Sequence, residues 1–210
     1  MKTAVLFDFD GTLFYGTTDL NYYSINMSLK DMRLPPVDRA KANSTVGDTL
    51  TELARNILGS DDKALCDRFL DGMLRYALIA IDELAEIEPD CIHMLRALKE
   101  KASVAICSNG NMDYLYKLLK KFDIFDIFDY IWYKKEGYSK LTAIPELKRL
   151  LGADRVIMVG DREEDVTSGK ANGCVTVAIQ NNIGARDAVG ADYDVFSHAE
   201  MERVILSILL

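Results

Sequence analysis

Val5-Leu6-Phe7-Asp8-Phe9-Asp10-Gly11-Thr12, near the front of a 210-residue chain, sets an apolar run against two carboxylates two residues apart. A short run of Val, Leu and Phe bounded by a turn signal reads as a strand buried on both faces of a sheet. Burying two carboxylates at its tip is costly unless a partner neutralises them. Gly11 lets the backbone turn where other residues resist. In open α/β sheets, ligands gather outside the carboxyl ends of strands. A plain acidic turn would also account for these residues, because Asp-Gly is a common turn dipeptide. The rest of the chain decides between the two.

Outward from that stretch, residues from about Phe14 to Glu88 carry helical patterns and no convincing strand. One predicted helix, capped by Thr18 or Asp19, runs through Tyr22, Ile25 and Leu29 and ends before Pro35-Pro36. A second spans about Thr49 to Leu58 with Gly59 past its end. A third starts at Ser60-Asp61-Asp62 and carries Phe69, Met73, Ala77 and Ile81 on one face.

From Pro89 onward helices and strands alternate. The patterns predict helices at Pro89–Lys101, Asn111–Lys121, about Ile144–Leu151, Glu163–Asn172 and near Ala185, with one more closing the chain. Strands are predicted at Val104–Cys107, Tyr130–Tyr133, Arg155–Val159, Val175–Ile179 and Tyr193–Phe196. Such alternation argues α/β: a Rossmann-like parallel sheet wrapped by helices, with an inserted helical block. The expected division is a core of residues 1–14 and 89–210, and a helical domain of residues 15–88.

Composition narrows the function. Hydrophobic residues make up 49% and charged residues 28%, as in ordinary soluble proteins. The net charge of −8 argues against a nucleic-acid partner. No apolar run approaches the roughly 20 residues of a membrane helix, and no signal peptide is visible, so a cytoplasmic protein is expected. Cys66, Cys91, Cys107 and Cys174 are scattered without a metal-binding or disulfide pattern. Nucleotide-binding glycine fingerprints are missing.

Three strand ends carry polar residues: Asp8 and Asp10, then Ser108 and Asn109, then Asp161 and Asp165. A parallel sheet brings these ends to one edge. Two unit charges ~4 Å apart interact by roughly 4 kcal/mol at an effective dielectric of about 20. Either some of the four carboxylates hold protons or a cation sits among them, and few-carboxylate oxygen ligation suits Mg²⁺. A metal, a free carboxylate and donors at helix starts make a phosphate site. Lys140, ahead of the helix that precedes the Asp161 strand, would balance the charge, with Lys134 and Lys135 as rivals.

Asp8-Phe9-Asp10-Gly11-Thr12, Ser108-Asn109-Gly110, Lys140 and Gly160-Asp161-Arg162-Glu163-Glu164-Asp165 resemble, in order, the four signature segments of the haloacid-dehalogenase-like hydrolase superfamily. The helical insertion resembles the cap of its phosphoglycolate phosphatases and related small-molecule phosphatases. The resemblance implies Asp8 as nucleophile, forming an aspartyl-phosphate, and Asp10 as the acid and base. It implies Mg²⁺ on the Asp8 and Asp161 carboxylates and the Asp10 carbonyl, with Asp165 holding the metal or its waters and Glu164 as a rival. Ser108, Lys140 and the backbone near Thr12 and Asn109 would grip phosphate. Leu141 departs from the proline that often follows the family's lysine.

Asp10 sets the chain apart from the dehalogenases of that superfamily. His93 and His198 lie outside the insertion, which lowers a phosphomutase reading, and Lys30, Lys41 and Lys63 lack the apolar setting of a Schiff-base lysine. The expected partner is a small phosphorylated metabolite. Phosphoglycolate, a nucleoside monophosphate, a sugar phosphate and pyrophosphate stay open, as do a phospho-acceptor switch and an idle binding protein. Tyr15, Tyr22, Tyr23, Asn26, Thr45, Gly47 and Thr49 are candidate contacts from the insertion, which would close on loops at Phe14–Gly16 and Glu86–Asp90.

Overall fold

Parallel strands organise the chain. In the computed structural model, which describes residues 1–46, 48–133, 138–181 and 188–210, β1 (Thr3–Phe7), β2 (Ser103–Ser108), β3 (Tyr130–Tyr133), β4 (Arg155–Gly160), β5 (Val175–Ile179) and β6 (Tyr193–Val195) form one sheet. Its order is β3-β2-β1-β4-β5-β6, with every pair parallel. The order reverses between β1 and β4, and such a switch point opens a crevice at the strands' carboxyl ends.

Alternation along the strands feeds two apolar layers. Val5, Phe7, Ile106 and Val159 face α5 (Pro89–Lys99), α6 (Met112–Lys121) and α9 (His198–Leu209). Ala4, Leu6, Cys107 and Met158 pack with α7 (Lys140–Leu150) on the other side. All four cysteines are buried, as small apolar side chains commonly are.

The insertion is helical, as its patterning requires: α1 (Thr17–Asp31), α2 (Arg39–Asn43), α3 (Leu50–Leu58) and α4 (Lys63–Leu84). Ile25, Leu29, Leu53, Phe69 and Met73 make a cluster of its own. Its link to the sheet layer runs through Leu20, Ala77 and Ile81. From α6, Lys117 donates to the Leu78 carbonyl at 2.5 Å and Lys121 to the Ile81 carbonyl at 2.6 Å. Both lysines thereby place cations near the C-terminal end of α4, where the helix dipole favours positive charge.

Several boundaries differ from the sequence reading. α1 starts at Thr17 behind Gly16 rather than behind Thr18 or Asp19. The short α2, capped by Asp38, had no periodic signal to announce it. α7 begins at Lys140, a full turn before Ile144, and carries Pro145 in its interior. Proline cannot donate to the carbonyl four residues back. Asn172 fills that gap, its Nδ2 donating to the Leu141 carbonyl at 3.0 Å. The helix read near Ala185 lies outside the described residues.

Candidate active site

Asp8 leaves the end of β1 at the switch point, its amide donating to the Val159 carbonyl of β4 at 2.8 Å. Its side chain is buried, and Lys140 Nζ lies 3.0 Å from Asp8 Oδ1 and 2.6 Å from Asp165 Oδ1. Lys140 is itself only 2% exposed, so both ion pairs sit away from water. Asp165 is fixed from its other oxygen, which accepts the Arg162 amide at 3.1 Å. It belongs to the first turn of α8 (Glu163–Ala171), where a carboxylate complements the helix dipole.

Asp161 completes the group from the end of β4. Its Oδ1 accepts from the Thr12 hydroxyl at 3.0 Å, while its buried Oδ2 has no hydrogen-bond partner among the described residues. One ligand oxygen from each of Asp8, Asp161 and Asp165 falls within 4.8 Å of the others. Two glycines make room for this crowding. A Cβ on Gly11, at φ +84°, would stand 2.4 Å from Asp161 Oδ2, and one on Gly160 would stand 2.1 Å from Asp165 Cγ. A side chain at either place would have to displace one of these carboxylates.

Three carboxylates against one lysine leave excess negative charge in a dry pocket. Burial, then the Asp8 carboxylate, pushes Asp161 well above the usual carboxylate range. Burial likewise pushes Asp165 up to about 7 although Lys140 pulls it down. The ammonium of Lys140 is pulled down by burial, yet Asp165 and Asp8 more than offset that and hold it well above the usual lysine value. The group therefore retains a shared proton near neutrality unless a further cation joins it. An orphaned carboxylate oxygen beside two more, all hard oxygen donors, fits a divalent cation such as Mg²⁺.

Asp10 points elsewhere. Its Oδ1 accepts from the Thr17 hydroxyl, at the first residue of α1, and from the Tyr114 hydroxyl of α6 at 2.9 Å. Burial lifts it to about 6, with the Asp8 charge adding to the rise and both hydroxyls opposing it. Ser108 Oγ accepts the Gly110 amide at 3.0 Å, which leaves its own proton to donate. Asn109 donates to Glu164 at 2.9 Å, so Glu164 is engaged there while Asp165 stands in the carboxylate trio. The amides of Gly11 and Thr12 are spent within the turn, on the Phe14 and Phe9 carbonyls. Thr12 meets the site through its hydroxyl instead.

Asp8, Asp10, Ser108 and Asn109 open onto a cavity of about 210 Å³ between the strand ends and the insertion. Of the candidate contacts, Thr45 lines it. Tyr22 carries the Arg39 guanidinium over its ring at 4.5 Å, Asn26 ties down the Val37 backbone, and Thr49 caps α3. Tyr23 is exposed. Tyr15 stacks on His198 at 4.9 Å. Gly47, Lys134 and Lys135 lie outside the described residues.

Sequence reading passed over Thr17 and Tyr114, and weighed His198 only against a phosphomutase reading. Buried His198 donates from Nε2 to the Thr12 carbonyl at 2.9 Å and sets Nδ1 2.8 Å from the Glu88 carboxylate. It thus joins the loop behind Asp8 to the start of α5. Tyr114 looked like any aromatic on an amphipathic helix, and no local signal marks the 104 residues that separate it from Asp10.

A parallel sheet with buried carboxylates and a lysine at its switch point, under a helical insertion, is an α/β fold whose site residues fit a divalent cation. Residues 5–179 match the family model described as haloacid dehalogenase-like hydrolase, and the chain belongs to that family. It is similar to a phosphoglycolate phosphatase of Chromobacterium violaceum, 28% identical over 211 residues, covering 94% of each chain. It is also similar to a phosphoglycolate phosphatase of Neisseria meningitidis, 27% identical over 203 residues, covering 90% of this chain and 85% of the relative. A haloacid dehalogenase-like hydrolase from Streptococcus pneumoniae shares the fold, with a TM-score of 0.83 at 19% identity over 100% of this chain and 99% of that one.

Proposed function

We propose that the chain is a Mg²⁺-dependent phosphatase that hydrolyses a small phosphate monoester through an aspartyl-phosphate on Asp8. The observation that carries this reading is the buried group of Asp8, Asp161, Asp165 and Lys140, whose Asp8 lines one cavity together with Asp10. Residues 15–88 act as a cap over a core of residues 1–14 and 89–210.

Asp8, Asp161 and the Asp10 carbonyl would hold Mg²⁺, with Asp165 holding the metal or its waters. Once bound, it would supply charge neutralisation for the phosphoryl oxygens. An Asp8 carboxylate oxygen attacks phosphorus, and the bond from phosphorus to the ester oxygen breaks. Asp10, held near pH 6 by burial, is protonated often enough to give its proton to the departing alcohol oxygen. Asp10 then takes a proton from the water that attacks the aspartyl-phosphate, which frees phosphate and restores Asp8. Ser108 and Lys140 steady the phosphoryl oxygens, in keeping with a reaction that needs chiefly positioning and charge stabilisation.

Phosphate release from an aryl phosphate tests the reading. Release should depend on Mg²⁺ and fall at least a thousandfold in Asp8→Asn. Unchanged turnover in that variant, or none in the parent with any divalent metal, would remove it.

A further inference from the structure

The cavity beyond the reacting atoms has a chemistry that sorts substrates. Leu50 and Leu53 of α3 and Leu70, Met73, Leu74 and Ala77 of α4 make its distal wall apolar. Its polar contributors there are Thr45, Asn21 and the carboxylates of Asp48 and Asp71. The described residues that line it include no lysine, arginine or histidine. Arg68 and Arg75 of α4 open with Ser28, Asp31 and Asp71 on a neighbouring cleft, and Arg75 is already bound to Asp31 at 2.5 Å. Lys140 is sealed between Asp8 and Asp165, on the phosphate side.

Taking the phosphatase reading above as given, we infer that the substrate is the phosphate monoester of an uncharged alcohol with a small apolar body. A second anionic group on that alcohol would enter a wall of aliphatic side chains with no cation among the described lining residues to meet it, beside Asp48 and Asp71. Desolvating a carboxylate against apolar surface and like charge is unfavourable. An apolar body gains by removal from water against the same leucines and methionine. A cationic alcohol would have Asp48 and Asp71 within the cavity, but Asp48 already accepts from Asn56 Nδ2 at 2.9 Å, Asp71 also lines the cleft that holds Arg68 and Arg75, and the leucine wall would strip an ammonium of its water. The room available suits an alcohol of a few carbons beside the phosphate. Phosphoglycolate, the substrate in the names of the relatives, carries the disfavoured carboxylate.

The test compares three esters whose leaving alcohols are all aliphatic: isobutyl phosphate, phosphoglycolate, which matches it in shape but bears a carboxylate, and O-phosphoethanolamine. With Mg²⁺ at pH 7.5, kcat/KM for isobutyl phosphate should exceed each of the others at least tenfold. Asp48→Lys should narrow the gap between isobutyl phosphate and phosphoglycolate at least threefold. Equal or better turnover of phosphoglycolate or of O-phosphoethanolamine by the parent overturns the inference and leaves the phosphatase reading standing. A gap that Asp48→Lys leaves unmoved also overturns it, because charge would then not be what the cavity reads. Absence of Mg²⁺-dependent phosphate release from all three and from an aryl phosphate removes the phosphatase reading itself, and the inference with it.

Discussion

Lys140→Met keeps most of the buried stem and deletes the charge that faces Asp8 at 3.0 Å and Asp165 at 2.6 Å. Removing one partner of a buried ion pair costs about 3–5 kcal/mol. For a chain of this size each kcal/mol moves Tm by about 2–4 °C, so metal-free protein at pH 8 should melt roughly 6–20 °C lower. The loss must depend on pH, and its direction follows from the carboxylates. The folded pKa values of Asp161 and Asp165 are raised, Asp165 to about 7, mainly by burial. A carboxylate raised in the folded state binds more protons there than when unfolded, so stability declines as pH climbs from about 4 through 7. A rise from 3.8 to about 7 is worth ~4 kcal/mol once pH exceeds both values. Without Lys140 those values climb further and the decline steepens. At pH 5 Asp161 and Asp165 are largely protonated in both proteins, and the deficit should shrink to less than half its value at pH 8. Thermal melts followed by circular dichroism in EDTA at pH 5, 6.5 and 8 measure it. A deficit of the same size at pH 5 and pH 8 would refute the charge argument and leave only lost packing.

Other perturbations follow from the same geometry. Tyr114→Phe removes a hydroxyl that lowers the Asp10 pKa, so the ionisation near pH 6 in the profile of kcat/KM should move up by about half a unit; an unmoved profile would detach Tyr114 from Asp10. Gly160→Ala sets a Cβ 2.1 Å from Asp165 Cγ, and displacing that carboxylate should weaken Mg²⁺ binding by about tenfold or more in calorimetric titration, with unaltered binding counting against Asp165. His198→Leu leaves the Thr12 carbonyl buried without its donor and should cost about 1–3 kcal/mol in urea unfolding. A change within a few tenths of a kcal/mol would mean that water or a neighbour replaces the ring.

The layout of strands was legible because each is a short apolar run closed by a turn, and because β1 ends in Asp8-Phe9-Asp10-Gly11-Thr12. Ser108 and Asp161 were legible for the same reason: a side chain just past a parallel strand is carried to the common edge whatever the loop lengths. Element ends were read less well where side chains from afar decide them. The helix expected from about Ile144 starts a turn earlier, where the Asn172 amide donates to the Leu141 carbonyl that Pro145 leaves without a backbone donor. Lys140 thereby becomes the first residue of a helix, which aims its ammonium between two carboxylates.

What the sequence determined by itself is local: periodicity, turns and the residue types at strand ends, together with the family those segments mark. What tertiary structure alone decided is which distant groups meet. Thr17 and Tyr114 hold Asp10, His198 ties the Thr12 carbonyl to Glu88, and leucines of the insertion line one cavity with Asp48, Asp71, Asp8 and Asp10. Such meetings depend on how helices of the insertion pack on α6 and α9, and packing rewards shape and burial summed over many residues rather than any short pattern.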